Sequence, residues 1–518
     1  MIETTNYLNN LGLNFERIVQ SCSSHAAIRF ITGEIITYNE LNTRANQIAN
    51  YFKKSGIKKY DVVAIFNDKT LNDFASMLAC LKIGAIYTNL DYMNPSERLL
   101  KILAICKPKI ILYHSHTFPH KKLNEANWKD YDGDFLKEIQ TEDTRNLTDT
   151  ALLHGNTPAY LMFTSGSTGF PKGAVMTHDN VMRFIKWAGR RFNITENDIL
   201  ANINPIYFDN SVFDFYASLF HGASVVPIPS AILKKPKDIL DNINKMECTI
   251  WFSVPSLLVY LLNLKILDSD HFKNIRRIIF GGEGFPKPKL KELVDHFPER
   301  ITFTNVYGPT ECTCICSSYD LAEEDLNNLD GILPLGPINP DFEYLILDET
   351  GMQVKPGDTG ELCLLGPCVG KGYFGNTELT SKAFKQNPYC PDITDLMYST
   401  GDLVYKNAAT KMLHFVARKD NQIKLQGYRI ELDEIEAALY NLGYINEVAV
   451  IHAKTDIAGK IMAAIVLRIE KTEIEIINDL RKLLPEYMIP KKLILKDCLP
   501  KNQNGKIDRM LLASECLL

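Results

Sequence analysis

Apolar residues along the chain follow two alternating rhythms. Between residues 41 and 52, Leu41, Ala45, Ile48, Ala49 and Phe52 keep the spacing of one helix face, and Gly56 supplies a terminator. The run Val62-Val63-Ala64-Ile65-Phe66 follows, too short for a helix and apolar at every position, which is the pattern of a strand covered on both faces. Runs of the same kind recur at residues 110–113, 249–252 and 277–280, separated by helical stretches. The spacing therefore predicts an α/β protein whose body is made of mostly parallel sheets flanked by helices. Residues 114–150 are polar with little periodicity and read as a surface excursion, and no repeat of fixed period is visible.

The rhythm changes across residues 331–401, where Gly and Pro punctuate short strands and turns. Beyond it, Leu432, Ile435 and Leu439 mark one face of an amphipathic helix over residues 431–439, apolar runs follow at 448–451 and 463–466, and another helix precedes Pro485. The pattern predicts two domains, a large body of residues 1–419 and a small α+β unit of residues 420–518. A small lid hinged to a large α/β body suits an enzyme that must exclude water and later release its product.

With 518 residues, 46% hydrophobic and 23% charged, the chain is long enough for more than one core and has no signature of disorder. A net charge of −5 with Lys and Arg scattered along the sequence argues against a nucleic-acid surface. The first residues, Met1-Ile2-Glu3-Thr4-Thr5-Asn6, carry neither the basic nor the apolar segment of a secretory signal. No run of about 18 apolar residues is present, so a cytoplasmic protein without a membrane anchor is expected. Twelve cysteines are too dilute for a disulfide framework. Cys312, Cys314 and Cys316 alternate as residues on one face of a strand do, and read as packing. His178 suits a helix start as well as a chemical role, and histidine chemistry is not expected.

The densest chemistry lies in Thr164-Ser165-Gly166-Ser167-Thr168-Gly169-Phe170-Pro171-Lys172-Gly173, delivered by the apolar run Tyr160-Leu161-Met162-Phe163. Three glycines free the backbone so that successive N–H groups can converge on an anion, while the hydroxyls and Lys172 add donors. The order of residues does not fit G-x-x-x-x-G-K-[ST], so this is a phosphate loop of another kind.

Further motifs follow in order: Tyr207-Phe208-Asp209-Asn210-Ser211, Phe280-Gly281-Gly282-Glu283, Asn305-Val306-Tyr307-Gly308-Pro309-Thr310-Glu311, Tyr398-Ser399-Thr400-Gly401-Asp402, Arg418-Lys419-Asp420 and Asn504-Gly505-Lys506-Ile507-Asp508-Arg509. Together they resemble the adenylate-forming superfamily across nearly the whole chain. Within it the chain is most similar to stand-alone amino-acid adenylation domains of nonribosomal peptide synthesis, and in its later half to D-alanine:D-alanyl carrier protein ligases.

The resemblance implies that ATP activates a carboxylic acid as an acyl-AMP and that a thiol then takes the acyl group. It implies ATP and Mg²⁺ as cofactors and Lys506 as the catalytic cation, bridging the substrate carboxylate and the α-phosphate. Nucleotide contacts are implied for Thr164, Ser165, Gly166, Ser167, Thr168, Gly169, Lys172, Gly282, Glu283, Gly308 and Thr310. Tyr307 would offer a face to adenine and Asn305 an amide to its polar edge, Asp402 would accept the ribose hydroxyls, and Arg418 would add a ribose or phosphate contact. Glu311 is the implied Mg²⁺ ligand, with an oxygen from Thr168, and Asp420 the hinge about which the lid turns. The loop Gly427-Tyr428-Arg429-Ile430-Glu431 would then line the second step. Ala417 stands where the family pattern has Gly before the arginine, which costs backbone freedom beside the hinge but keeps the cation.

Asp209 lies in an apolar context, after Phe208 and before Val212 and Phe213, where a carboxylate is costly without a cation. In the resembled enzymes an Asp at this place anchors the substrate's α-amine; a cap for a helix starting at Asn210 is the structural alternative. The remaining pocket positions by the family pattern are Asn210, Phe213, Ser253, Ile279, Gly281, Val306, Cys314 and Ile315. None is charged, so a neutral amino acid is expected, with Gly281 opening space and Phe213 filling it. D-alanine ligases carry a cysteine where Gly281 stands, so D-alanine is one candidate among several. The residues after Arg509 hold no Asp-Ser-Leu pattern of a carrier domain, so a separate phosphopantetheinylated carrier protein and a monomeric enzyme are expected. An acyl- or aryl-CoA synthetase and a non-catalytic adenylate-binding protein are the competing readings.

Overall fold

The structure, a computed structural model, describes residues 9–119, 127–166, 169–267, 270–297, 300–453, 459–501 and 507–517. The chain forms two compact units, one of Met1–Tyr92, Cys106–Phe163 and Gly173–Ala417, the other of Met93–Ile105, Thr164–Lys172 and Arg418–Leu518.

The first unit is built on two large sheets. The eight-stranded sheet runs in the order Ser317–Asp320, Thr302–Tyr307, Arg277–Gly281, Ile250–Ser253, Ile199–Asn202, Ser224–Pro227, Ala26–Arg29, Ile35–Thr37. It is parallel except at its two edges. The six-stranded sheet runs Trp128–Asp130, Ile110–Tyr113, Val62–Phe66, Ile86–Leu90, Pro158–Thr164, Lys172–Thr177. Every residue of Val62–Phe66, Ile86–Leu90, Ile199–Asn202 and Ile250–Ser253 is buried, as parallel strands with two covered faces require. One hydrophobic cluster reaches through both sheets and the helices Tyr38–Lys54, Leu71–Ile83 and His178–Phe192. A third, antiparallel sheet carries Glu343–Leu347, Thr359–Leu365, Phe384–Gln386 and Leu396–Lys406, with Leu413–Arg418 beside the last.

Helix Tyr38–Lys54 encloses the predicted stretch and begins where Thr37 and Glu40 close a capping box, two backbone donors satisfied by two side chains. The described residues of 114–150 are more ordered than their polarity suggests. They hold the edge strand Trp128–Asp130 and the helix Phe135–Gln140, and Trp128, Tyr131, Phe135 and Ile139 are buried. Elements this short carry too few apolar positions to establish a period.

In the second unit, helix Leu432–Tyr440 packs on a three-stranded sheet of Ile445–Ala453, Lys460–Leu467 and Lys492–Leu495, with Ile435, Leu439, Val448, Val450 and Ile465 in its core. Helix Glu473–Leu480 covers the same core through Ile476 and Leu480. Among the described residues, no helix is long and apolar enough to cross a membrane.

Candidate active site

Three neighbouring parallel strands of the eight-stranded sheet end at one edge. Their last residues bring Ser253 beside Phe280, Phe280 beside Asn305, and Gly281 beside Val306. Ligands of open α/β sheets bind outside the carboxyl ends of strands, and Gly281, Asn305 and Val306 of two motifs stand there. Gly281 plays a different part from the one its missing side chain suggests. A Cβ there would lie 2.4 Å from the Val306 carbonyl oxygen, so glycine allows the two strands to approach rather than opening pocket space. Gly282 has φ +87°, a conformation that glycine adopts without cost.

Ser253, Phe213, Ile279, Val306, Cys314 and Ile315 are all buried. Phe213 packs edge-on against Phe192 and Phe252, with ring centroids 5.3 and 5.4 Å away. It opens a single π-helical turn, Phe213–Ala217, and such turns are frequent at functional sites. Asp209 and Asn210 precede that turn and are half-buried. Asp209 stands at the start of the short helix Asn210–Val212, yet its side chain makes no capping bond. Its Oδ2 instead accepts a hydrogen bond of 2.6 Å from the Thr310 hydroxyl.

The segment 305–316 supplies most of the remaining groups. The Tyr307 hydroxyl donates to Asp402 Oδ2 at 2.6 Å in a buried setting; burial and the Asp402 charge push the phenol far up, so it stays a donor. The Asn305 amide donates 2.9 Å to the Pro334 carbonyl. Glu311 is fully buried, and its Oε1 accepts from the Tyr373 hydroxyl at 2.7 Å. A buried carboxylate met by hydroxyl oxygen suits a hard cation such as Mg²⁺, which takes one or two carboxylates and keeps water. Glu283 accepts from the Ser256 N–H at 2.8 Å.

Cys312, Cys314 and Cys316 do not share a strand face. Cys312 ends the turn Thr310–Cys312, Thr313 and Cys314 have φ +58° and +72°, and the strand starts only at Ser317. The chain folds back so tightly that a Cβ on Gly308 would lie 2.2 Å from the Cys314 carbonyl oxygen. The Cys314 thiol is held protonated by burial and by Asp209 and Asp214, which suits packing rather than nucleophilic chemistry.

The phosphate loop belongs to the second unit. Ser165 donates 2.7 Å to the Arg429 carbonyl, and the Gly166 N–H donates 3.3 Å to Glu434 Oε2. Lys172 Nζ lies 3.8 Å from Glu431 Oε1, and Lys101 Nζ donates 3.2 Å to the Gly169 carbonyl. A Cβ on Gly166 would lie 2.1 Å from the Phe170 carbonyl oxygen, and Gly169 has φ +77°, so the glycines let the loop close on itself. Thr164 is half-buried at the head of this loop. Arg418 grips Asp420 through Nε–Oδ1 at 2.9 Å and Nη2–Oδ2 at 2.5 Å; burial raises the Asp420 carboxyl, but the guanidinium overrides it and holds it below the usual range. Ser167, Thr168 and Lys506 lie outside the described residues.

Three partners escaped the sequence reading. Tyr373, which holds Glu311, follows the Gly370-Lys371-Gly372 turn between two motifs, and that turn was its one signal. Thr310 carries a bond to Asp209 from a motif assigned to the nucleotide. Glu434 meets both Gly166 and Arg98 from a helix read only for its apolar face.

Known proteins resemble the chain over most of its length. Bacitracin synthase 1 of Bacillus licheniformis is 32% identical over 511 residues, which cover 98% of this chain and 9% of that protein, so the chain spans about a tenth of this relative. D-alanine--D-alanyl carrier protein ligase of Bacillus cereus (strain AH187) is 30% identical over 491 residues, covering 93% of this chain and 94% of that one. NpsA-ThdA, an artificially fused adenylation-PCP di-domain from Klebsiella oxytoca, shares the fold with a TM-score of 0.82 at 22% identity over 94% of this chain and 93% of its own. The AMP-binding enzyme family matches residues 15–374 and its C-terminal domain residues 434–506. The chain therefore belongs to the AMP-binding enzyme family, the adenylate-forming ligases.

Proposed function

We propose that the protein activates a neutral amino acid with ATP as aminoacyl-AMP and passes it to the phosphopantetheine thiol of a separate carrier protein. The observation that carries this reading is Asp209, a half-buried carboxylate between Phe208 and Val212 whose Oδ2 is oriented by Thr310, the residue before Glu311. A carboxylate so placed can hold a substrate α-ammonium. The uncharged lining of Asn210, Phe213, Ser253, Ile279, Val306, Cys314 and Ile315 favours a neutral side chain. The relatives named as a peptide synthase and a carrier protein ligase support the carrier as acceptor.

In the first step a substrate carboxylate oxygen attacks the α-phosphorus of ATP and pyrophosphate leaves; in the second the carrier thiol attacks the acyl carbon and AMP leaves. Both gather negative charge, so the protein's work is positioning and charge neutralisation. Lys506 would supply the cation between the carboxylate and the α-phosphate. Tyr307 would stack on adenine, Asp402 would accept ribose hydroxyls, and the loop at residues 164–172 would donate to the phosphates. Mg²⁺ would neutralise phosphate charge when held by Glu311 and Thr168. Asp420 would serve as the hinge of a mobile lid of residues 420–518.

Amino-acid-dependent exchange of labelled pyrophosphate into ATP, run across the L-amino acids, glycine, β-alanine and D-alanine, is the test. One neutral amino acid is expected to give a strong signal; silence with all of them and a signal with aryl or fatty acids would assign a CoA ligase instead. Lys506→Ala is expected to lower exchange by about a hundredfold to a thousandfold while ATP still binds, and unchanged turnover would remove Lys506 from the mechanism. Asp209→Ala is expected to cost an amino acid about 3–5 kcal/mol of transition-state binding; equal losses for the deaminated acid would defeat the amine anchor.

A further inference from the structure

We propose that His114, His116 and Asp132 form a binding site for a divalent transition metal of the Zn²⁺ class, with water completing its shell. The site is separate from the nucleotide motifs and is assembled by the six-stranded sheet. Ile110–Tyr113 and Trp128–Asp130 are adjacent parallel strands, followed within two residues by His114 and Asp132. Their carboxyl ends lie at one edge, the place where open α/β sheets bind ligands.

One ligand atom from each of His114, His116 and Asp132 lies within 4.8 Å of the others. His114 Nδ1 is 3.7 Å from Asp132 Oδ1, and His116 Nδ1 is 2.6 Å from Asp132 Oδ2. Nitrogen and oxygen ligands around a tetrahedral Zn²⁺ sit about 3.3 Å apart, which places the three ligand atoms near the spacing that a three-residue site with one open position needs.

A second observation points the same way. Both carboxylate oxygens of Asp73 lie 3.1 Å from His114 Nε2, in a buried pair. Donation of Nε2–H to Asp73 leaves the Nδ1 lone pair toward Asp132, the carboxylate–histidine–metal order in which a buried acid fixes the ligand's tautomer. Asp73 is itself fixed, since its Oδ2 accepts from the Thr70 N–H at 3.0 Å and the Asp68 N–H at 3.1 Å at the start of helix Leu71–Ile83. His114 is buried, whereas the His116 side chain is 60% exposed and Asp132 33%, which gives an ion a path in. Two imidazoles favour Zn²⁺, Co²⁺ or Ni²⁺ over Mg²⁺ and Ca²⁺. The competing account is a paired turn without metal, in which Asp132 serves the Ser115 hydroxyl at 3.2 Å and the His116 N–H at 3.0 Å.

Calorimetric titration of ZnCl₂ into the full chain, without nucleotide, tests the site, and the absorption spectrum with Co²⁺ identifies the ligands. The wild type is expected to take up one equivalent with a Kd below about 10 μM. Cobalt should give visible bands without thiolate charge transfer. His116→Ala, a change at an exposed side chain, should weaken binding at least about tenfold, with Asp132→Asn as the second variant. Absence of saturable binding, equal affinity in both variants, or thiolate bands that move the metal to cysteine would each overturn the proposal. Pyrophosphate exchange reports on the other site, so the two readings fail independently.

Discussion

The bond from Thr310 to Asp209 makes the amine anchor depend on a neighbour in the nucleotide motif. Thr310→Val keeps the shape and removes the donor, and hydrogen bonds to charged groups are worth about 1.5–3 kcal/mol. The amino-acid KM is therefore expected to rise about tenfold or more with little change in the KM for ATP, as steady-state kinetics with each substrate varied will show. A larger rise for ATP would place Thr310 on the nucleotide instead. At this scale the sequence made residue types legible but not their partners. Asp209 in an apolar context was readable as a carboxylate in need of a cation; that its alternative role as a cap is not realised required the coordinates. Gly281 was misjudged because an absent side chain reads as space, whereas here the Val306 carbonyl takes it. The three cysteines are buried packing residues as expected, but they do not share a strand face, because alternation describes a strand only if the backbone is extended and two left-handed residues intervene.

Among the elements, strands buried on both faces were the most legible: residues 62–66 and 110–113 fall on the strands Val62–Phe66 and Ile110–Tyr113. Burial on two sides leaves no polar position to blur the run. What holds helix to helix was not legible, because it rests on charges distant in sequence. Lys82 of helix Leu71–Ile83 donates 2.5 Å to Glu16 of helix Leu11–Cys22, and both are buried. Burial lowers the Lys82 pKa to about 8, against the pull of Glu16. Such a pair is costly to break and cheap to replace. Glu16→Ala is expected to lose about 3–5 kcal/mol in urea unfolding, whereas Glu16→Leu with Lys82→Met together should lose far less. Equal losses in the single and double variants would show that packing rather than the charge pair matters at this contact.

For the molecule as a whole, the order of six motifs along the chain carried the family, while the assembly of the second unit from Met93–Ile105, Thr164–Lys172 and Arg418–Leu518 was hidden. It depends on contacts such as Arg98 with Glu434, which lie far apart in sequence. The His114 cluster was hidden for the same reason: the two-residue spacing of His114 and His116 gains meaning only when the next strand brings Asp132 beside it. Acid stability is a property at this scale that follows from one buried ring. His178, first in its helix, accepts the Leu11 N–H on Nδ1 at 3.0 Å, and burial, with Lys59 and His154 nearby, depresses its pKa to about 3. The unfolded chain protonates this ring near its ordinary value while the folded chain refuses the proton. Stability is thus fully present above about pH 6.5 and declines as pH falls toward 3, by about 1 kcal/mol between pH 7 and 5.5 from this group. His178→Asn keeps an acceptor for Leu11 and cannot titrate. Urea midpoints at the two pH values should therefore move less in the variant than in the wild type. An equal shift in both would assign the acid sensitivity to other groups and leave His178 a neutral packing residue whose protonation the fold never has to resist.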